Sequence, residues 1–148
     1  MKKSTLIAHF LFLLVLLSSL TSFGVTNYWD GSFNTYWHNN NNWSLGHIPL
    51  STEDVVITTS GQIPHVDYFD EMCNSLTINS GATLRIADQT LTVSNAVSVY
   101  GTLELTNTLA KLYCTYMTWR NGSTGSMTGS SVISLSRNWE FWLGPMLI

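Results

Sequence analysis

Basic residues are scarce. Beyond Lys2 and Lys3 only Arg85, Lys111, Arg120 and Arg137 carry positive charge, and they do not cluster. Nine Asp and Glu oppose them, leaving residues 25–148 near −5. Nucleic acid, whose binding depends on many Lys and Arg meeting phosphates, is excluded as a partner on that balance. Charge of either sign is sparse, at 10% of the chain, and Ser, Thr and Asn fill the polar positions instead. Helical periodicity is missing too: no stretch after residue 24 sustains a 3.6-residue apolar stripe. Closely spaced Cys and His pairs, the usual ligands of structural zinc, are absent, so His38, His47 and His65 do not read as a metal set. Nor is there a nucleophile elbow, a phosphate loop or a Ser-His-Asp signature. We therefore expect no catalytic residue, no metal and no cofactor in this chain.

What is present begins with a leader. Lys2 and Lys3 precede an apolar run, Leu6 to Leu17, broken only by His9, and Ser18, Ser19, Thr21 and Ser22 follow. That order of basic, apolar and small polar segments is the layout of a secretory signal peptide, residues 1–24, forming a signal helix and cut before Val25. The run is short of the roughly 20 residues a membrane span needs, so contact with the membrane is expected only through the leader before cleavage. The expected location is outside the cell, secreted or on its surface.

From Asp54 the dominant pattern is two-residue alternation, the mark of half-buried strands. Apolar pairs fall at Leu76/Ile78, Leu84/Ile86, Leu91/Val93, Val97/Val99, Leu103/Leu105 and Ile133/Leu135, separated by short Asn-, Ser- and Gly-containing turns. The first five begin 8, 7, 6 and 6 residues apart, and three such steps make a unit of about 20 residues. Leu76 to Val97 is 21, Leu84 to Leu103 is 19 and Leu112 to Ile133 is 21. A repeat of that length with three short strands fits one coil of a parallel β-helix. An antiparallel sandwich also spaces strands regularly, but its strands recur every 8–12 residues, longer than steps of 6 or 7. The chain is accordingly read as all-β: a single-stranded parallel β-helix segment over 54–148, behind an aromatic, Asn-rich N-terminal cap over 25–53. Residues 121–131 (NGSTGSMTGSS) read as a turn or loop. The closing NWEFWLGPMLI reads either as a cap on the last coil or as the point where a longer protein is interrupted, with interruption favoured.

The order W…W…NWS.G..P…D.V.I, followed by LTI.SGATL.I…L.V…V.G.L.L, resembles the N-terminal part of secreted bacterial surface proteins with right-handed β-helix passengers. It also has some likeness to the G8 domain, a glycine-punctuated extracellular β-module. Trp37, Trp43, Ser44, Gly46, Pro49, Asp54, Val56, Ile57, Gly81 and Gly101 carry the resemblance. It implies surface display or adhesion, with an extracellular glycan or cell-surface component as partner.

Tyr36, Trp37 and Trp43, with Tyr28, Trp29 and Phe33, could stack on sugar rings, as in a carbohydrate-binding or carbohydrate-active protein. They better suit a rim that seals the first coil, because Trp and Tyr bury large areas and still find a hydrogen-bond partner. Asn39–Asn42 are expected to form a turn using the left-handed backbone that Asn tolerates. Asp67, Asp70 and Glu71 form an acidic cluster in VDYFDEM that lacks calcium-loop order and reads as a solvated connection. Glu104 and Asp88 are outward strand positions rather than a glycosidase pair. Arg85, Lys111 and Arg120, the candidates for a polysaccharide-lyase base, are unmarked. Cys73 and Cys114 lie two coils apart, about 9–10 Å at 4.8 Å per coil. That exceeds the ~7 Å reach of a disulfide, so both are expected to be unpaired and buried.

Overall fold

The computed structural model describes residues 24–137 and 139–141. The leader, and the last residues of the closing aromatic segment, lie outside the described residues.

The chain is a parallel β-solenoid. A first strand, β1 (Thr26–Trp29), precedes four coils of three strands each. These are β2 (Asp54–Ile57), β3 (His65–Val66) and β4 (Glu71–Cys73); β5 (Ser75–Ile78), β6 (Thr83–Ile86) and β7 (Thr90–Val93); β8 (Ala96–Val99), β9 (Thr102–Leu105) and β10 (Lys111–Cys114); and β11 (Tyr116–Trp119), β12 (Thr124–Met127) and β13 (Val132–Leu135). A final strand, β14 (Trp139–Phe141), starts the next coil. Corresponding strands stack into three sheets, ordered β1-β2-β5-β8-β11-β14, β3-β6-β9-β12 and β4-β7-β10-β13. Every strand-to-strand pairing is parallel.

The spacings read from the sequence are the registers of the sheets. Leu76 pairs with Val97, Leu84 with Leu103 and Leu112 with Ile133. Strand periodicity then sends alternate side chains inward, where like positions stack into columns. One sheet contributes Val55–Leu76–Val97–Met117 and Ile57–Ile78–Val99–Trp119. Leu84, Leu91, Leu103, Leu105 and Leu112 fill the core from the other two and are fully buried. Each such side chain contributes about 1.5–3 kcal/mol on leaving water, which offsets the ordering of strands only four residues long.

Corners between strands are tight, and Gly101 shows why. It stacks on Ala82, and a Cβ there would lie 2.2 Å from the Ala82 carbonyl oxygen and 2.3 Å from that of Asn79. The glycine in YGTLEL is therefore a packing requirement of one coil riding on another.

Two features depart from the expected layout. Thr26–Trp29 pairs with Asp54–Ile57 in register, so the solenoid's ladder starts inside the stretch read as cap. Residues 124–127, read as part of a loop, form β12 on β9, with Thr124 opposite Thr102. Cys73 and Cys114 are free and buried, on strands separated by β7.

Candidate functional site

The N-terminal end of the solenoid gathers most of its conspicuous side chains. After β1 the chain continues as an incomplete coil laid on the first one. Tyr36 bridges His65 in parallel, and the backbone N–H of Trp37 donates to the His65 carbonyl at 3.0 Å. Strand-like alternation then decides the fate of three consecutive residues: Tyr36 and His38 face outward, while Trp37 between them points into the core.

Asn39–Asn42 turn the chain back across the open end. A single 3₁₀ turn, Asn40–Asn42, is capped by Asn39, whose side chain accepts from the Asn41 N–H at 3.0 Å. The left-handed backbone expected of this run is not used: among the described residues only glycines have positive φ. Side chains do the work instead. Buried Asn42 accepts from the N–H groups of Phe33 (3.1 Å) and Asn34 (3.0 Å) and donates to Asn34 Oδ1 (2.8 Å) and the Tyr36 carbonyl (2.9 Å). All four hydrogen-bonding positions of its amide are filled.

Trp43 then bridges Trp29 across the end, and three indoles pack edge to face, Trp29–Trp43 at 5.0 Å and Trp37–Trp43 at 4.7 Å between centroids. Trp43 Nε1 donates to the Trp37 carbonyl at 2.8 Å and Trp29 Nε1 to the Gln62 carbonyl at 2.6 Å. Trp37 is 1% and Trp43 3% exposed, so neither offers a face to a ligand. Of the six aromatics considered for sugar contact the three tryptophans are buried, whereas Tyr36 (41%), Tyr28 (47%) and Phe33 (62%) reach solvent.

Below Tyr36 and His38 lies the corner between β3 and β4. Residues 67–70 form the largely exposed connection expected from their charge, but Glu71 does not belong to it. Glu71 occupies an inward position, in register with Leu91, and its carboxylate is nearly closed off. His38 Nδ1 lies 2.8 Å from Glu71 Oε1, tying the cap to the first coil. Burial raises the Glu71 pKa, and His38 opposes that shift. Beside this latch two consecutive rings stand outward. Tyr68 meets Tyr36 edge to face at 5.2 Å, and Phe69 lies over the His38 ring at 4.2 Å, tilted by 34°. Each loop aromatic thus rests on an outward residue of the cap, yet Tyr68 stays 62% and Phe69 54% exposed.

Carboxylates flank these rings. Asp70 Oδ1 accepts from the Thr90 N–H at 2.8 Å. Partial burial raises the Asp67 pKa, with Asp88 of the next coil adding to the rise and His65 opposing it. The adjoining outward row runs His65–Arg85–Glu104 in register. Arg85 donates through Nε and Nη2 to Glu104 Oε2, both at 2.7 Å, and through Nη1 to His65 Nε2 at 3.1 Å. Because guanidinium only donates, Nε2 accepts and the neutral ring carries its proton on Nδ1. Burial first, and Arg85 second, lower the His65 pKa. Arg85 is thus already engaged on two sides.

The remaining candidates are dispersed. His47 sits 3.5 Å from Glu53 inside the cap, so the three histidines have three separate partners. Among the described residues no three His, Cys, Asp or Glu converge as metal ligands. Arg120 lies over the Tyr100 ring at 5.5 Å, and Lys111 points outward from β10. Tyr68 and Phe69 were not singled out from the sequence. The signal that could have found them is their adjacency in a turn: neighbouring strand residues would face opposite ways, whereas a corner can expose both.

A family model described as a domain of unknown function (DUF8693) matches residues 28–139. No curated protein and no solved structure matches the chain.

Proposed function

The chain belongs to the DUF8693 family, and we propose that it is an exported, non-catalytic scaffold: a short rigid rod that displays an adhesive surface at its sealed end. The observation that carries this reading is the aromatic corner, where Tyr68 and Phe69 stay largely exposed although each is braced on the cap. A solenoid is suited to such a task, since every coil is fixed by its neighbours over a continuous ladder.

Two further observations support it. The leader has the three-part order of an export signal. Four of the carboxylates are occupied with the fold itself: Asp54 holds Asn74 and Ser75, Glu53 holds the Leu50 N–H, Glu71 meets His38 and Glu104 meets Arg85. The motif resemblance to secreted surface proteins points the same way.

Expression of the full chain in a secreting host, followed by fractionation and N-terminal sequencing, tests the first half. A product outside the cytoplasm that begins at Val25 is the expected result, and an uncleaved cytoplasmic product overturns it. Adhesion of the purified protein to intact cells, lost in Tyr68→Ala/Phe69→Ala, tests the second half.

A further inference from the structure

Resting on that reading of the corner as a contact surface, we infer that Tyr36, Tyr68 and Phe69, with Asp67 and Asp88, form a binding site for glycans that carry no negative charge, either neutral or amino sugars. Size argues for a saccharide over a protein. Three partly exposed rings present on the order of 300 Å², well under the ~800 Å² per partner of a stable protein interface.

The geometry suits such a ligand. Phe69 has one face over His38 at 4.2 Å, and over half of the residue stays open to solvent. A flat apolar face of that kind can cover the C–H face of a pyranose. Carboxylates are what ring hydroxyls hydrogen-bond to: Asp67 adjoins Tyr68 in the chain, and Asp88 follows Ala87, whose N–H donates to the Val66 carbonyl at 2.9 Å, at the same corner of the next coil. Both rings are held in advance by Tyr36 and His38, so little side-chain freedom is lost on binding.

Charge sets the selectivity. Asp67 and Asp70 flank the two rings in the chain, Asp88 lies at the same corner of the next coil, and Arg85 of the adjoining row is held by Glu104 and His65. A uronate or sulfate would meet uncompensated like charge, whereas a protonated amino sugar would meet opposite charge.

Titration calorimetry of the full chain with cellohexaose, a glucosamine hexamer and a galacturonate hexamer tests the assignment. The first two should bind and the third should not. Phe69→Ala and Tyr68→Ala should each weaken binding at least about tenfold, with circular dichroism unchanged. Tyr116→Ala, an exposed ring on β11 of the fourth coil, should leave affinity as it is. Asp67→Asn/Asp88→Asn should narrow the gap between glucosamine and galacturonate. Equal binding of all three sugars, or binding indifferent to both ring variants, overturns the assignment. If no sugar binds, the assignment also fails, and the adhesion assay separates the two ideas. Adhesion that persists in the wild type and is lost in Tyr68→Ala/Phe69→Ala leaves the display reading standing with another ligand, whereas absent adhesion removes both.

Discussion

The Trp119 ring occupies the space that a side chain on Gly125 would need: a Cβ there would lie 2.5 Å from Cη2 and Cζ2 of the indole. One coil earlier the corresponding residues are Val99 and Leu103. The fourth coil has exchanged a small and a large residue for a large and a missing one, so the indole takes room that a side chain on β12 would use, and an open cleft lined by Leu103, Trp119, Gly125 and Ile133 remains beside it.

That exchange predicts coupled mutations. Gly125→Leu alone should destabilise by about 1–3 kcal/mol through overpacking against the indole. In a Trp119→Val background the same change rebuilds the Val99/Leu103 arrangement and should be tolerated. A double-mutant cycle by urea denaturation should return a coupling of about 1–2 kcal/mol. Strict additivity would refute the exchange.

Asn42 predicts a second effect, in the cap. Asn42→Ala strands the N–H groups of Phe33 and Asn34 and the Tyr36 carbonyl. Unsatisfied buried groups cost about 1–3 kcal/mol, so a loss of about 2–3 kcal/mol is expected in chemical denaturation. Asn39→Ala removes one exposed capping bond and should cost only about 0.5–1 kcal/mol. If Asn39→Ala proves as damaging as Asn42→Ala, the hub role is wrong.

The contrast between coils and cap explains what the sequence made legible. Leu76 over Val97 could be read because alternation of period two and a repeat near 20 residues are both linear signals. Glu71 could not, because nothing local says that a carboxylate stands in a column with Leu91, or that His38, 33 residues earlier, will meet it. β12 was hidden for the opposite reason: Gly125 and Ser126 carry no apolar signal, and their strand exists because β9 offers a ladder beside it. In the aromatic head the residue types suited a cap better than a sugar surface, and the three tryptophans are indeed buried while Tyr28, Phe33 and Tyr36 stay outside. Two further exposed rings, Tyr68 and Phe69, came from the acidic stretch.

His65 predicts a pH dependence with a definite sign. Its folded-state pKa is lowered by burial and by Arg85, so the native protein binds this proton less readily than the unfolded chain does. The stability associated with neutral His65 is therefore present above pH ~6.5 and lost as pH falls from there through the lower folded value. Proton NMR should place the ring's titration below 6.5. The thermal midpoint of the wild type should fall more steeply than that of His65→Gln between pH 7 and 5. Parallel curves would remove His65 from the Arg85–Glu104 row.

The cysteines make the last prediction. Burial pushes the Cys73 thiol up to about 12, with Asp54 adding to the shift, and the Cys114 thiol up to about 11. The reactive species is the thiolate, so at pH 8 almost none is available in the folded protein, and access is restricted as well. Native protein should react with iodoacetamide far more slowly than free cysteine does. In denaturant without reductant, two thiols per chain should titrate promptly, because one intervening rung keeps β4 and β10 beyond disulfide reach at about 9–10 Å. Stability should also be indifferent to reductant, since no cross-link constrains the unfolded chain. A denatured sample showing no free thiol would break the register of all three sheets at once, because the same ladder that sets Leu112 on Leu91 holds these two sulfurs apart.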